Sequence, residues 1–287
     1  MCKVAVLYIC TGTYTVFWKD FYVSAEKYFL PDCEKHYFVF TDTSKIYGEE
    51  DNPRVHRCEQ EAYSWPFATL RRFEIFLKQE QQLEKFDYTF FFNANAEIQC
   101  IISKEMFLPR KEKGEKLLLV QHPGYFDKPN YEFTYDRNPH SKAFIPYGFG
   151  KYYVCGGVNG GETEAFLKLC HELDNRIKDD LSYNVIARFH DESQINRYIL
   201  RRKDCRILPP SFCYPEGWDF LPFPCIVLIR TKAKYINISA LRKDTQETQL
   251  SPFIEKSNEF CFRVTRWIYT RLQRINRWRK KIIGKMK

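Results

Sequence analysis

Short apolar runs alternate along this chain with longer stretches in which apolar positions recur every three or four residues, the periodicities of buried strands and amphipathic helices. The run Val4-Ala5-Val6-Leu7-Tyr8-Ile9 predicts a strand over residues 1–10, then a loop with Thr11, Gly12 and Tyr14, then a helix from Phe17 to Phe29. His36-Tyr37-Phe38-Val39-Phe40-Thr41-Asp42 predicts a second strand ending in polar residues. Leu70, Phe73, Phe76, Leu77 and Leu83 share one side of a helix predicted over Thr69 to Glu84. Asp87-Tyr88-Thr89-Phe90-Phe91-Phe92 is continuously apolar after its first residue, and in an alternating β/α chain such a strand belongs to a sheet covered on both faces. Further strands are predicted over Lys116 to Gln121 and Pro222 to Ile229, and helices over Thr163 to Leu173 and Asp191 to Leu200. The pattern is that of an α/β chain without internal repeats, and it gives way to polar sequence near residue 245.

Composition narrows the classes open to it. Of 287 residues 44% are hydrophobic and 28% charged, enough to build a core and too apolar for global disorder. No apolar stretch approaches the roughly 18 residues that cross a bilayer. Met1-Cys2-Lys3 runs straight into the first strand without the features of a signal peptide, which predicts a cytoplasmic protein that begins at residue 1. Eleven cysteines are scattered with no Cys/His cluster at ligand spacing, so buried free thiols are expected and a zinc site is not.

Charge divides the chain. Ten of the 45 basic residues and none of the 36 acidic ones lie between Phe260 and Lys287, so the net charge of +9 belongs to the tail and residues 1–259 carry about −1. That balance argues against a nucleic-acid-binding body. In the tail Val264, Trp267, Ile268, Leu272, Ile275, Trp278 and Ile282 recur at helical intervals among arginines and lysines. Such a helix suits an anionic membrane surface, peripheral on the inner face of the cytoplasmic membrane; a solvated basic tail is the plainer alternative. The division expected is a body over 1–245 and a basic amphipathic tail over 246–287.

Two clusters carry chemistry. Phe92 leads into Asn93-Ala94-Asn95, two carboxamides two residues apart at the carboxyl end of a buried strand, where ligands of open α/β sheets sit. Taken alone, the segment reads more simply as a polar exit into a turn. His190-Asp191-Glu192 places three ionisable groups at a helix start, where N-capping accounts for Asp191 and leaves the adjoining Glu192 unexplained.

A wider set of segments occurs in order: Tyr8-Ile9-Cys10-Thr11-Gly12-Thr13-Tyr14, Phe17-Trp18-Lys19, Ala25-Glu26-Lys27-Tyr28-Phe29, and Trp65 through Arg71-Arg72. His122-Pro123-Gly124-Tyr125-Phe126, Glu132-Phe133-Thr134-Tyr135, Gly156-Gly157 with Gly160-Gly161, and His190-Asp191-Glu192-Ser193 continue it. Over about residues 4–230 the chain thereby resembles glycosyltransferase family 6, the family of the blood-group A and B transferases and the α-1,3-galactosyltransferases. Asn93-Ala94-Asn95 stands where animal members carry Asp-Val-Asp, which looks like the family's bacterial, metal-independent branch. The resemblance implies an α/β fold of glycosyltransferase-A type, a Rossmann-like mixed sheet flanked by helices. It also implies a hexosyltransferase that moves GalNAc from UDP-GalNAc, with retention, in α-1,3 linkage to a galactoside, commonly an α-1,2-fucosylated one.

Roles follow from the same resemblance. Tyr14 stacks on uracil beside Ile9 and Thr11, and Arg72, Asn93, Ala94 and Asn95 face the donor. Lys232, Arg242 and Lys243 fall in the stretch that closes over the nucleotide. Glu192 is the catalytic carboxylate and Asp191 binds donor-sugar hydroxyls. Cys155, Gly156 and Gly157 lie where donor choice is read, and their small size favours GalNAc, although the glycines equally suit a tight turn. His122, Thr134, Phe189 (where the family usually has Trp) and Glu216 contact the acceptor. Carboxamides cannot supply the charge that holds a hard divalent cation, so no metal or other cofactor is expected and lysine and arginine neutralise the leaving diphosphate. Galactose transfer is one alternative; a non-catalytic carbohydrate-binding or membrane-surface protein of the same fold is another.

Overall fold

A computed structural model describes residues 1–238 and 249–283, with 277–283 as backbone alone. The first strand, β1 (Lys3–Ile9), passes through a 3₁₀ turn over Gly12–Phe17 into helix α1 (Trp18–Tyr28) and returns as β2 (Glu34–Thr41), parallel to β1. An edge strand that the pattern did not reveal, β3 (Val55–Glu59), pairs with β2. The single helix expected over Thr69 to Glu84 is three short ones, α2 (Phe67–Leu70), α3 (Arg72–Leu77) and α4 (Glu80–Leu83). Arg71 (φ −88°, ψ 9°) and Gln79 (φ −109°, ψ 12°) leave helical geometry between them. The apolar side survives these breaks, for Leu70, Phe73, Phe76 and Leu83 are all buried, and Arg72 is buried with them at 5% exposure.

Strand β4 (Tyr88–Phe92) runs parallel to β1 on its other side, and the chain continues through β5 (Ala96–Ile98), α5 (Lys104–Phe107) and β6 (Leu117–Gln121). Glycine-rich β7 (Val154–Glu162) inserts antiparallel between β4 and β6. It was not predicted because four glycines depress strand propensity. Helix α6 (Thr163–Ser182) outruns its predicted end, α7 is His190–Ile199, and β8 (Cys205–Leu208) pairs with β6. The short β9 (Tyr214–Pro215) and β10 (Val227–Ile229) complete a small sheet with β5. β10 is shorter than the strand predicted over Pro222 to Ile229, since Pro222 and Pro224 cannot donate to a ladder. A long helix, α8 (Pro252–Ile283), ends the described chain.

The main sheet has seven strands in the order β3-β2-β1-β4-β7-β6-β8. Both faces are covered, as the continuous strands predicted. Val4, Val6, Tyr8, Phe90 and Phe92 enter one core cluster, and Ala5, Leu7 and Phe91 enter the other. This mixed sheet between helices agrees with the glycosyltransferase-A architecture. Its order reverses between β1 and β4, so a crevice opens at their carboxyl ends. All eleven cysteines are free, but the expectation that they are buried holds for six: Cys100 and Cys261 are exposed and Cys2, Cys205 and Cys225 only half-buried.

Candidate active site

At that crevice a cleft of about 200 Å³ is lined by Ile9, Thr11 and Tyr14 from the end of β1 and by Asn93 and Ala94 from the end of β4. Arg72, Lys232 and the loop from Gln60 to Trp65 complete the wall. Tyr14 and Lys232 adjoin each other, with the ammonium 5.1 Å from the ring centre. Sequence reasoning thus brings together seven of its donor-side residues at one opening. Arg242 and Lys243 lie outside the described residues.

The inner end of the cleft is organised by the backbone of one residue, Gly156. β7 bulges against β6: Leu119 faces Asn159 while Val120 faces Cys155, so residues 156–158 have no partner on that strand. The freed Gly156 N–H donates to Glu192 Oε2 at 2.9 Å, and the Gly156 carbonyl accepts from Arg72 Nη1 at 2.8 Å. Arg72 Nη2 also lies 2.6 Å from Asp191 Oδ2, a charge contact whose angles do not make a hydrogen bond. Arg72 Nε and Nη2 are therefore buried donors without an acceptor. The glycines do not form the tight turn that was the alternative reading. A Cβ on Gly156 would stand 2.9 Å from Asp191 Oδ2 and 3.3 Å from Arg72 Nη2, so only glycine admits this close approach.

Glu192 is held at both oxygens, since the Tyr153 phenol donates to Oε1 at 2.8 Å. Burial pushes the Glu192 carboxyl up to about 7, against the pull of the Gly156 amide and the Tyr153 hydroxyl. Asp191 is raised too, by burial, with Arg72 opposing. Asn196, one turn along α7, accepts from Val154 N–H and donates to the carbonyls of Val154 and Glu192, tying the helix to β7. Neither Tyr153 nor Asn196 was singled out from sequence. Their partners lie 39 and 42 residues away, and the one visible signal was a tyrosine three positions before Gly156.

The paired asparagines part company. Asn93 lines the cleft, while Asn95 is buried, accepts from Asn93 Nδ2 at 3.0 Å and donates to the Arg230 carbonyl at 2.5 Å. Asn95 thus fixes Asn93 and the β10 segment rather than facing the opening. Among the described residues, no three His, Cys, Asp or Glu side chains come together as metal ligands.

On the other side of Tyr153 stand the residues assigned to the acceptor. His122 packs edge-on against the Tyr153 ring at 5.6 Å, and its Nδ1 accepts from Gly124 N–H, which leaves the proton on Nε2. Burial pushes His122 down to about 4, so it is neutral near pH 7. Thr134 Oγ1 is buried without a hydrogen-bond partner; it faces the Tyr153 phenol without closing a bond to it. Phe189 is 39% exposed at the entry to α7. Glu216 does not join them. Lys234 at 2.6 Å and the Thr231 N–H hold its carboxylate, which sits down at about 2 chiefly because of the Lys234 bond. Cys155 is buried beside Cys213.

The glycosyltransferase family 6 model matches residues 2–246. The O-antigen biosynthesis glycosyltransferase WbnI of Escherichia coli is 36% identical over 74% of this chain and 88% of its own length. The globoside alpha-1,3-N-acetylgalactosaminyltransferase 1 of Gallus gallus is 28% identical over 74% of the chain, and the histo-blood group ABO system transferase 2 of Rattus norvegicus is 26% identical over 71%. The chain spans about 62% of the length of these two animal relatives. It belongs to glycosyltransferase family 6 and is a hexosyltransferase.

Proposed function

We propose that this member of glycosyltransferase family 6 transfers GalNAc from UDP-GalNAc to the 3-hydroxyl of a galactoside, with the α configuration retained and no metal ion taking part. The observation that carries the reading is the Gly156 backbone, which ties the Glu192 carboxyl and a cation with unused buried donors to one point at the inner end of the cleft. Cleavage of the bond to the diphosphate leaves positive charge at the sugar and negative charge on the leaving group. Glu192 stands to stabilise the first, by attack or by shielding. Arg72, through Nε and Nη2, and Lys232 stand to stabilise the second, which is the work a bound cation does elsewhere.

Tyr14 supplies a ring for the base at the mouth of the cleft, and Asn93 supplies a carboxamide for hydroxyls. GalNAc is favoured over galactose because Gly156 and Gly157 leave the wall beside Asp191 without side chains. His122 and Thr134 stand beside Tyr153 to receive the galactoside, and an α-1,2-linked fucose on it is the acceptor we expect. The name of the Gallus gallus relative, an α-1,3-N-acetylgalactosaminyltransferase, supports the donor and linkage.

The test is a panel of UDP-GalNAc and UDP-Gal against fucosylated and plain galactosides in excess EDTA, read by product mass and linkage. GalNAc transfer in α-1,3 linkage at the same rate with and without chelator is the expected result. A requirement for added Mn²⁺ overturns the metal-free mechanism, and preferred turnover of UDP-Gal overturns the donor assignment.

A further inference from the structure

Helix α8 spans 32 residues and so extends for about 48 Å. Its described side chains fall into three sectors. Ile254, Asn258, Phe262, Thr265 and Tyr269 are the ones partly covered, and they repeat at helical spacing along one side. This side meets the body. Phe262 and Tyr269 pack edge-on against Tyr131 at 5.7 and 5.3 Å, and Asn258 Nδ2 donates to the Arg137 carbonyl at 3.1 Å.

The apolar stripe seen in the sequence is not the docked side. Phe260 (68% exposed), Val264, Trp267 (60%), Ile268, Leu272 and Ile275 all stand in water, and at about 100° per residue they centre roughly 115° away from the docked side. Arg263, Arg266 and Arg274 fill the third sector, and Arg271 lies within the stripe with its guanidinium 5.0 Å from the Trp267 ring. From residue 270 to 276 every described side chain is exposed, so this stretch of the stripe extends past the docked residues.

We infer that α8 is an in-plane anchor for an anionic lipid surface, inserted by the Phe260–Ile275 stripe while a neighbouring side carries the catalytic body. Charge decides the occupant. Between Phe260 and Lys287 the chain has ten basic and no acidic residues, which suits lipid phosphates. A second copy docked stripe to stripe would bring two such basic segments together, with no acidic residue between Phe260 and Lys287 on either to offset them. No described helix is long and apolar enough to cross a membrane, so the attachment is peripheral.

The full chain is sedimented with phosphatidylcholine vesicles with and without phosphatidylglycerol, at low and high salt, beside two variants, Trp267→Ser/Leu272→Ser and Arg266→Glu/Arg274→Glu. Each cation near such a surface contributes about fivefold to partitioning. The native chain is expected to pellet with the anionic vesicles, less so at high salt, and both variants to partition at least tenfold more weakly with unchanged thermal unfolding. Failure to bind anionic vesicles at low salt overturns the inference. Undiminished binding of the serine variant overturns it as well, because attraction would then need no insertion. A concentration-dependent dimer abolished by the same two serines assigns the stripe to a second copy instead.

Discussion

Around Glu192 this protein hides charge, whereas along α8 it displays rings. Asp191 and Arg72 are 6% and 5% exposed in the midst of the core, while Trp267 and Phe260 stand more than half exposed. Both arrangements run against the partition of residues between interior and water. They fail differently, however. The buried centre is self-compensated in part, through the Gly156 backbone and the Arg72–Asp191 contact, and its residual cost falls on the two carboxyls, Glu192 and Asp191, both raised by burial. The stripe has no compensation within the described residues, and the lipid surface proposed above would supply it. The site proposed for a charged donor and the face proposed for lipid thus carry opposite signatures in the same fold.

The comparison breaks most sharply at Glu192. Its carboxyl sits at about 7 in the folded protein against an ordinary 4.5. Below pH 4.5 both states hold the proton and the site contributes nothing. Between there and pH 7 the folded state keeps a proton that the unfolded state releases, so stability falls with rising pH, and above 7 the full penalty is present. Glu192→Gln is therefore expected to lower turnover by about a thousandfold or more and, at pH 8, to raise unfolding free energy by up to about 3 kcal/mol. Urea unfolding at pH 8 and at pH 4 checks the second part; the gain should vanish at the lower pH. An equal gain at both would mean that the glutamine merely packs better.

How much of this was legible beforehand follows the range of the interactions. Local ones were readable: the apolar runs of β1 and β4, the strand-end asparagines, and the acid pair at the start of α7. What escaped depends on distant partners. β7 carries too few side chains to announce a strand, yet its bulge positions Glu192 and Arg72. Asn95 looks like Asn93 in sequence and differs only because the Arg230 carbonyl, 135 residues on, engages its amide. Glu216 sits in a promising Tyr-Pro-Glu-Gly-Trp segment, but Lys234 holds it. For the tail, periodicity gave the stripe from Val264 to Ile275 (the side chains of Trp278 and Ile282 lie outside the described ones) and could not say that the body would dock on Phe262 and Tyr269 instead.

A smaller effect is expected at Tyr153, whose phenol holds Glu192 from the side opposite the Gly156 amide. Tyr153→Phe keeps the ring among Tyr125, Phe133 and Tyr135 and removes only the hydrogen bond. A bond to a charged group is worth about 1.5–3 kcal/mol, so kcat should fall roughly 10- to 100-fold with little change in the KM for donor. Because the lost donor favoured the ionised form, the acid limb of the pH profile should move upward from its position near 7. A lower melting temperature with an unmoved acid limb would reduce Tyr153 to a packing residue.

The finest test lies one residue along β7. A Cβ on Gly157 would meet Cys213 Sγ at 3.5 Å and Asn93 Cβ at 3.7 Å, ordinary contacts that the fold accepts. A Cβ on Gly156 would press on Asp191 and Arg72 and disturb the charge centre whatever sugar is bound. Gly156→Ala should accordingly slow UDP-GalNAc and UDP-Gal together and lower stability. Gly157→Ala should leave stability nearly unchanged and shift the ratio of the two turnovers toward galactose by about 1 kcal/mol, or fivefold, since one methyl in a pocket discriminates no more strongly than that. Paired kcat/KM measurements on both donors separate the cases. A Gly157→Ala ratio equal to the native one would place the acetamido group against some other wall, and the smallness of this strand would then serve the bulge alone.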